Sequence, residues 1–137
     1  MTSIQFDPAQ VAVDVLTAYL PEHSSPEEGQ YTFAYTITIS NSSEVPVQLL
    51  SRHWVITDAD NDVQEVRGEG VVGEQPVIQP REAFRYTSGA TLATPVGCME
   101  GSYYMVVRDP IDIDPRDLPT FEVPIPAFSL HTPTALN

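Results

Sequence analysis

A glycine-rich segment that runs into prolines is the feature that most constrains the fold of this chain. Gly68, Gly70 and Gly73 have the GxGxxG spacing of a dinucleotide-binding fingerprint, which needs a strand before the glycines and a helix that opens on them. No such helix can begin here, because Pro76 and Pro80 follow closely, and each proline lacks an N–H donor and drives the preceding residue toward an extended conformation. The segment is therefore predicted to be a loop or bulge in an all-β domain.

Apolar and polar residues alternate along several short stretches, as they do in strands with one buried face. Strands are predicted over 11–15, 31–40, 47–57, 63–67, 83–88, 101–108 and 120–130. The polar segment 21–30 is predicted to be a loop. This pattern, together with many prolines and no amphipathic helix, predicts one β-sandwich domain that spans 1–137.

The strand predicted over 47–57 carries the only tryptophan. Two faces are predicted for it: Leu50, Arg52, Trp54 and Ile56 on one, and Leu49, Ser51, His53 and Val55 on the other. A core tryptophan on the third strand is typical of immunoglobulin-like sandwiches. Since an unpaired buried charge is expensive, Arg52 on the Trp54 face must lie at the margin of the sheet or be paired.

Charge and cysteine content limit the partners and the compartment. The formal net charge is −13, from 19 acidic and 6 basic residues, and every basic residue is arginine. Such a chain repels phosphate backbones, so we expect no direct nucleic-acid partner. Cys98 is the single cysteine, which allows no internal disulfide. The first residues lack the features of a signal peptide, and no apolar run is long enough to span a membrane. We expect a cytoplasmic protein that does not contact membranes.

An acidic segment after the tryptophan strand is the first candidate metal site. Asp58, Asp60 and Asp62 have the spacing of the first three ligands of an EF-hand loop. The glycine that such a loop requires at its sixth position is Val63, and both flanks are predicted strands rather than helices. The segment is therefore predicted to be a solvated turn. If it does bind a divalent cation, His53 is the nearest candidate for an additional ligand.

The glycine-rich segment is also a candidate anion site. Backbone N–H groups of Gly68, Gly70 and Gly73 could bind phosphate oxygens together with the guanidinium groups of Arg52 and Arg67. The alternative is that the glycines only allow the backbone to bend at a bulge. Anion binding requires the two arginines to converge, whereas a bulge does not.

Several separate blocks of the sequence resemble one known family. They are RHW at 52–54, VRGEGVVGEQP at 66–76, YTSG at 86–89, MEGSY at 99–103 and VPIPAF at 123–128. In this order they resemble the ApaG family, also called CorD. The resemblance implies an immunoglobulin- or fibronectin type III-like sandwich of about seven or eight strands. The family occurs as small bacterial proteins and as domains of F-box and DNA-polymerase-interacting proteins, and its name is tied to cobalt and magnesium homeostasis.

The chain departs from the family pattern in three places. Residues 109–117 form a longer acidic loop where a short hairpin turn is usual, and Arg81 replaces a common turn glycine. The position of Cys98 usually holds threonine or serine in the family, so its thiol is predicted to be a packing group rather than a nucleophile.

The predicted function is that of a non-catalytic binding module without a cofactor. We expect it to contact another protein through residues 66–76 and the strand around 52–54, because no nucleophile lies next to a base in the sequence. Binding of a small anion, pyrophosphate or a nucleotide, is the first alternative. Direct binding of a divalent metal is the second.

Overall fold

The computed structural model describes residues 6–134 as two antiparallel β-sheets packed face to face. The strands are β1 (Val11–Tyr19), β2 (Tyr31–Asn41), β3 (Val47–Asp58), β4 (Val63–Glu69), β5 (Val77–Ile78), β6 (Ala83–Leu92), β7 (Val96–Val107) and β8 (Phe121–His131). One sheet has the order β1-β2-β6, and the other has the order β4-β3-β7-β8 with β5 beside β3. The prediction of an all-β, immunoglobulin-like sandwich is confirmed.

Helical structure in the described residues is confined to short turns that begin with proline. The turns are Pro8–Gln10, Pro21–His23, Pro26–Glu28 and Pro115–Asp117, each of three residues. Proline suits the first helical position, because its φ is already helical and the N–H that it lacks would have no partner there. Between residues 6 and 134, no helix is long and apolar enough to cross a membrane.

Several strands extend beyond their predicted ends. β1 continues to Tyr19, β6 continues to Leu92 and β7 begins at Val96. In β1 the alternation of apolar residues ends early, yet pairing with β2 continues through Leu16 to Tyr19. The pairing of β1 with β2 therefore extends beyond the alternating apolar residues from which the strand was predicted. The two-residue strand β5 was not predicted, because prolines flank it closely.

Trp54 lies in the core between the sheets, as predicted. It is 2% exposed. Its indole makes edge-on contacts with the rings of Tyr35, Phe128 and Tyr103, at centroid distances of 5.3, 5.9 and 6.4 Å. Edge-to-face pairs of this kind are favourable beyond the area that they bury. The tryptophan thus joins side chains from both sheets into one aromatic cluster.

Because of a β-bulge, the buried and outer faces of β3 differ from those predicted. The register between β3 and β7 shifts between Leu49 and Ser51, so Leu50 is an extra residue on β3. Such a shift moves every following side chain to the opposite face. Leu49 and Trp54 are therefore both buried, although an uninterrupted strand would place them on opposite faces. The prediction that Leu50 shares the core face and Leu49 the outer face is wrong.

The edge strand β8 contains two prolines. Pro124 pairs with Ser102, and the register against β7 shifts between Met99 and Gly101, opposite the segment that contains Pro126. An edge strand tolerates proline because its outward backbone groups need no ladder partner. β8 is consequently continuous from Phe121 to His131, with a bulge in the segment that contains Pro126.

Arg81 occupies a backbone conformation that glycine adopts more easily. Its φ is 65°. Its N–H donates to the carbonyl of Asn41 at 2.7 Å, and its guanidinium pairs with Glu44 at 2.7 Å. The replacement of the family's turn glycine therefore changes the local strain and leaves the fold intact.

The burial of Trp54 predicts its fluorescence. Native protein is expected to emit at shorter wavelength than indole in water and to resist iodide quenching, because the ring contacts protein on all sides. The urea-unfolded chain provides the control, and in it both properties should revert. Native emission like that of free indole, with ready quenching, would contradict this core.

The conformation of Arg81 predicts a stabilising substitution. Arg81→Gly should raise the free energy of unfolding by up to about 1 kcal/mol, since relief of left-handed strain outweighs the exposed ion pair and the added flexibility of the unfolded chain. Arg81→Ala, the control, loses the ion pair and keeps the strain. Urea titration should rank the glycine variant above the alanine variant, and the reverse order would refute the assignment of strain.

Candidate functional site

The sandwich is closed along one side and open along the other. β1 lies beside β8 on the closed side. On the opposite side, three adjoining cavities of about 230, 380 and 260 Å³ run between the edge strands β4 and β6. We call this feature the β4–β6 groove. The walls are formed by Gln64 and Val66 of β4 and by Tyr86, Ser88 and Ala90 of β6, and the floor is formed by Tyr35, Arg52, Trp54 and Ile56.

Small side chains keep the groove open. Ser88 and Ala90 are the inward residues that line it on the β6 side. Packed sheets lie about 10 Å apart, and facing side chains must fill that space. Residues as short as these cannot reach the other sheet. The groove therefore follows from the sequence of β6.

Arg52 lies on the inner face of β3, between the central cavity and the cavity beside the glycine-rich loop. Its Nη1 donates hydrogen bonds to the carbonyl oxygens of Glu69 and Gly70, at 3.0 and 2.8 Å. The guanidinium lies over Gly68, where an added Cβ would come within 2.8 Å of Nη1. Arg52 therefore satisfies the prediction of a marginal or paired arginine, with backbone carbonyls as its partners. The absence of a side chain at position 68 makes room for it.

Two tyrosines form a polar contact beneath Arg52. The hydroxyl groups of Tyr86 and Tyr103 share a short hydrogen bond. Burial raises the pKa of both hydroxyls well above the usual range, and the positive charge of Arg52 lowers it by a smaller amount. Both tyrosines are therefore neutral hydrogen-bond donors at physiological pH.

Trp54 contributes a polar atom to the same region. Its Nε1 is buried and has no hydrogen-bond partner within residues 6–134. A buried indole N–H usually finds an acceptor. Trp54 lines the central cavity, whereas its unpaired Nε1 is itself buried.

The structure does not bring the two predicted anion-binding arginines together. Arg52 pairs across the strands with Gly68, and His53 pairs with Arg67. Neighbouring residues of a strand point to opposite faces of the sheet. Arg67 therefore lies on the outer face with His53, whose Nε2 is 3.1 Å from a carboxylate oxygen of Glu65. The convergence that anion binding at the loop requires is absent from the described residues.

Three backbone N–H groups of the glycine-rich loop donate to carbonyl groups of the protein. The N–H of Gly70 donates to the carbonyl of Leu50 at 2.8 Å, and Val71 and Glu74 exchange hydrogen bonds of 2.8 and 2.9 Å across a tight turn. Gly70 has a φ of 64°, and a Cβ there would collide with the Glu74 carbonyl. These features favour the role predicted as the alternative to anion binding, in which the glycines allow the backbone to bend.

The acidic segment 58–62 is a self-contained turn. A carboxylate oxygen of Asp58 accepts hydrogen bonds from the N–H groups of Asp60 and Asp62, at 2.8 and 3.1 Å. His53 lies five positions earlier on β3, roughly 16 Å away, so it does not share a site with this turn. In the described part of the chain, no group of three or more His, Cys, Asp or Glu residues is arranged to hold a metal ion. Weak cation binding by the turn stays a prediction.

The acidic loop 109–117 is held by a buried arginine. Nη2 of Arg108 donates to the carbonyl of Ile111 at 2.6 Å, and its Nη1 donates to the carbonyl of Ile113. Hydrogen bonds from Arg116 lower the pKa of Asp114 to about 2. The longer loop predicted from the sequence is thus an ordered surface feature, on the outer side of the β3–β4 sheet.

The part of β6 that forms a wall of the groove was not fully predicted from the sequence. The strand was predicted to end at Ser88, although inward positions continue through Ala90 to Leu92. The alternation of Phe84, Tyr86, Ser88, Ala90 and Leu92 was the available signal, and small residues weakened it. Cys98 lies away from the groove, where its sulfur is 3.9 Å from the Met99 carbonyl.

Comparison with known proteins agrees with this architecture. A protein named ApaG from Ralstonia nicotianae is 55% identical over 128 residues, which cover 93% of this chain and 97% of the relative. An ApaG from Pseudomonas aeruginosa is 56% identical over 128 residues, which cover 93% of this chain and 95% of the relative. The crystal structure of an ApaA protein from Bordetella pertussis superposes with a TM-score of 0.82 at 47% identity, covering 91% of this chain and 95% of that one. The sequence model of the ApaG domain matches residues 21–107, and the chain belongs to the ApaG domain family.

Proposed function

We propose that this chain is a non-catalytic protein-binding domain that accepts an extended segment of a partner in the β4–β6 groove. One observation carries the proposal: the sandwich is open between two edge strands, and an aromatic and polar floor lies between them. Groove-shaped sites with few polar groups on an apolar floor are typical of binding sites.

The backbone of both groove walls favours an extended ligand. β4 and β6 each end a sheet, so one edge of each strand has no neighbouring strand within the described residues. Such edges can pair with an incoming strand. The other two edge strands, β1 and β8, lie beside each other, and β8 has two prolines that cannot donate. The open side of the sandwich is therefore the better edge for binding.

The dimensions suit a short peptide segment. β4 contains seven residues, and a strand of that length spans roughly 23 Å. The three cavities lie along it in one row, from the acidic turn past Trp54 to the glycine-rich loop. An extended segment of about seven residues would cover all three.

The proposed site is smaller than the binding surface predicted from the sequence. That surface contained both Arg52 and Arg67, which the strand pairing places on opposite faces of the sheet. Arg52 contacts the groove, so it belongs to the proposed site, and Arg67 does not. A role in cobalt and magnesium homeostasis, which the family resemblance implies, would then act through the bound partner.

A peptide selection tests this function. Peptides of seven to ten residues selected from a random display library on the folded protein should shift the backbone N–H NMR signals of β4 and β6. Arg52→Glu should weaken binding by about tenfold or more, because the reversed charge lies in the groove. Arg67→Glu is the matched control, with the same charge change on the outer face, and should bind within about twofold of the unaltered protein.

Thermal unfolding must first show that both variants are folded. Binding that depends on Arg67 and not on Arg52, or signal shifts confined to the outer face around His53, would refute the groove as the site.

A further inference from the structure

We propose that the part of the β4–β6 groove around Arg52 is a carboxylate subsite, formed by Arg52, Trp54 and the Tyr86–Tyr103 pair, that receives an aspartate or glutamate side chain of the partner segment. This inference rests on the proposed function and specifies which residue the groove recognises. It follows from three kinds of donor in the residues around the two cavities that Arg52 lines, each with a hydrogen that has no acceptor within residues 6–134.

The first donor is the unused edge of the Arg52 guanidinium. Its Nη1 is bound to two backbone carbonyls, which fixes the orientation of the group. Nη2 and Nε have no protein acceptor within residues 6–134. Arg52 lines both the central cavity and the cavity beside the glycine-rich loop. A guanidinium edge held in this way suits a carboxylate, which can accept two parallel hydrogen bonds.

The second donor is the indole N–H of Trp54. The side chain is 2% exposed and its Nε1 is without an acceptor among the described residues. Leaving a buried donor unsatisfied is destabilising. Trp54 lines the central cavity together with Arg52, and because Nε1 itself is buried, its engagement by a ligand requires a small rotation of the ring.

The third donor is a phenolic O–H. Tyr86 and Tyr103 carry one hydroxyl hydrogen each, and the contact between them uses one of the two. The other hydrogen has no acceptor in the described part of the structure, whichever tyrosine donates. Tyr86 lines the same cavity as Arg52. Because burial keeps both phenols protonated, this donor persists across the physiological pH range.

Donors of these three kinds, one of them positively charged, favour an anionic acceptor.

The acidic residues at the ends of the groove indicate which residues should flank that acceptor in the ligand. Asp58 and Asp62 line the cavity at one end of the groove, and Glu69 lines the cavity at the other. A segment complementary to this pattern has an acidic residue with lysine or arginine on both sides, at unequal distances. Asp58 lies six positions from Arg52, so one basic residue should follow or precede the acidic one at roughly 20 Å.

The charge pattern also argues against a free phosphate as the intended ligand. The chain carries a net charge of −13, which disfavours the approach of small multivalent anions. A peptide brings its own basic residues and can use the acidic ends of the groove. Inorganic phosphate and a peptide carboxylate nevertheless present similar oxygens to Arg52, so the experiment includes both.

The single tryptophan makes the test direct, because its indole N–H gives one resolved NMR signal. N-acetyl-glutamate N-methylamide should move this signal saturably at millimolar concentration, and the matched glutamine compound should not. Arg52→Gln should weaken the response by about tenfold or more. Arg67→Gln is the control and should preserve it.

A second variant changes the position of the Arg52 guanidinium and leaves its charge in place. Gly68→Ala places a Cβ against the guanidinium, so it should displace Arg52 and weaken the glutamate response without changing any charge. Equal responses to the two compounds, or a glutamate response that survives both Arg52→Gln and Gly68→Ala, would overturn the subsite. A signal that moves with inorganic phosphate and not with the glutamate compound would overturn it as well.

Two ten-residue peptides distinguish this inference from the proposed function. Both carry one lysine six positions from the residue that should face Arg52 and a second lysine close to that residue on its other side, and that residue is glutamate in one peptide and glutamine in the other. Tighter binding of the glutamate peptide in the groove supports the subsite. Equal binding of both peptides refutes the subsite and retains the groove. If the glutamate compound moves the indole signal while neither peptide binds, the subsite stands and the proposed function fails.

Discussion

The β-bulge at Leu50 is the feature on which both the core and the groove depend. It moves every later side chain of β3 to the opposite face, so Leu49 and Trp54 can both be buried. It also frees the carbonyl of Leu50, which accepts hydrogen bonds from the N–H of Gly70 and the side chain of Gln75. This one extra residue therefore places Trp54 in the core, directs the side chain of Arg52 to the inner face and holds the glycine-rich loop through hydrogen bonds.

An arginine on the inner face of a sandwich needs compensation, because desolvating its charge is unfavourable. Here two backbone carbonyls accept from Nη1, and the guanidinium remains half-buried at the open side of the sandwich. Gly68 provides the space that the group occupies. Arg52 of the RHW block thus packs against Gly68 of the RGEG block. The glycine spacing that resembles a nucleotide fingerprint follows from packing and turn geometry.

The parts of the fold that the sequence predicted are those that show a clean period of two. The alternation along β2 and the burial of Trp54 followed from it. The bulge could not be predicted, because apolar residues at 49 and 50 fit either phase. The partners of Arg52 could not be predicted either, since they are carbonyl groups that carry no sequence signal. The opposite orientations of Arg52 and Arg67 follow from strand pairing, which only the structure supplies.

The inward orientation of Arg52 is the central claim of this account, and side-chain nuclear Overhauser contacts measure it most directly. The claim predicts contacts from the Arg52 side-chain protons to the Cα protons of Gly68, and none to the imidazole of His53. Contacts from Arg52 to His53 and Arg67, with none to Gly68, would place the arginine on the outer face and contradict both the groove and its proposed ligand.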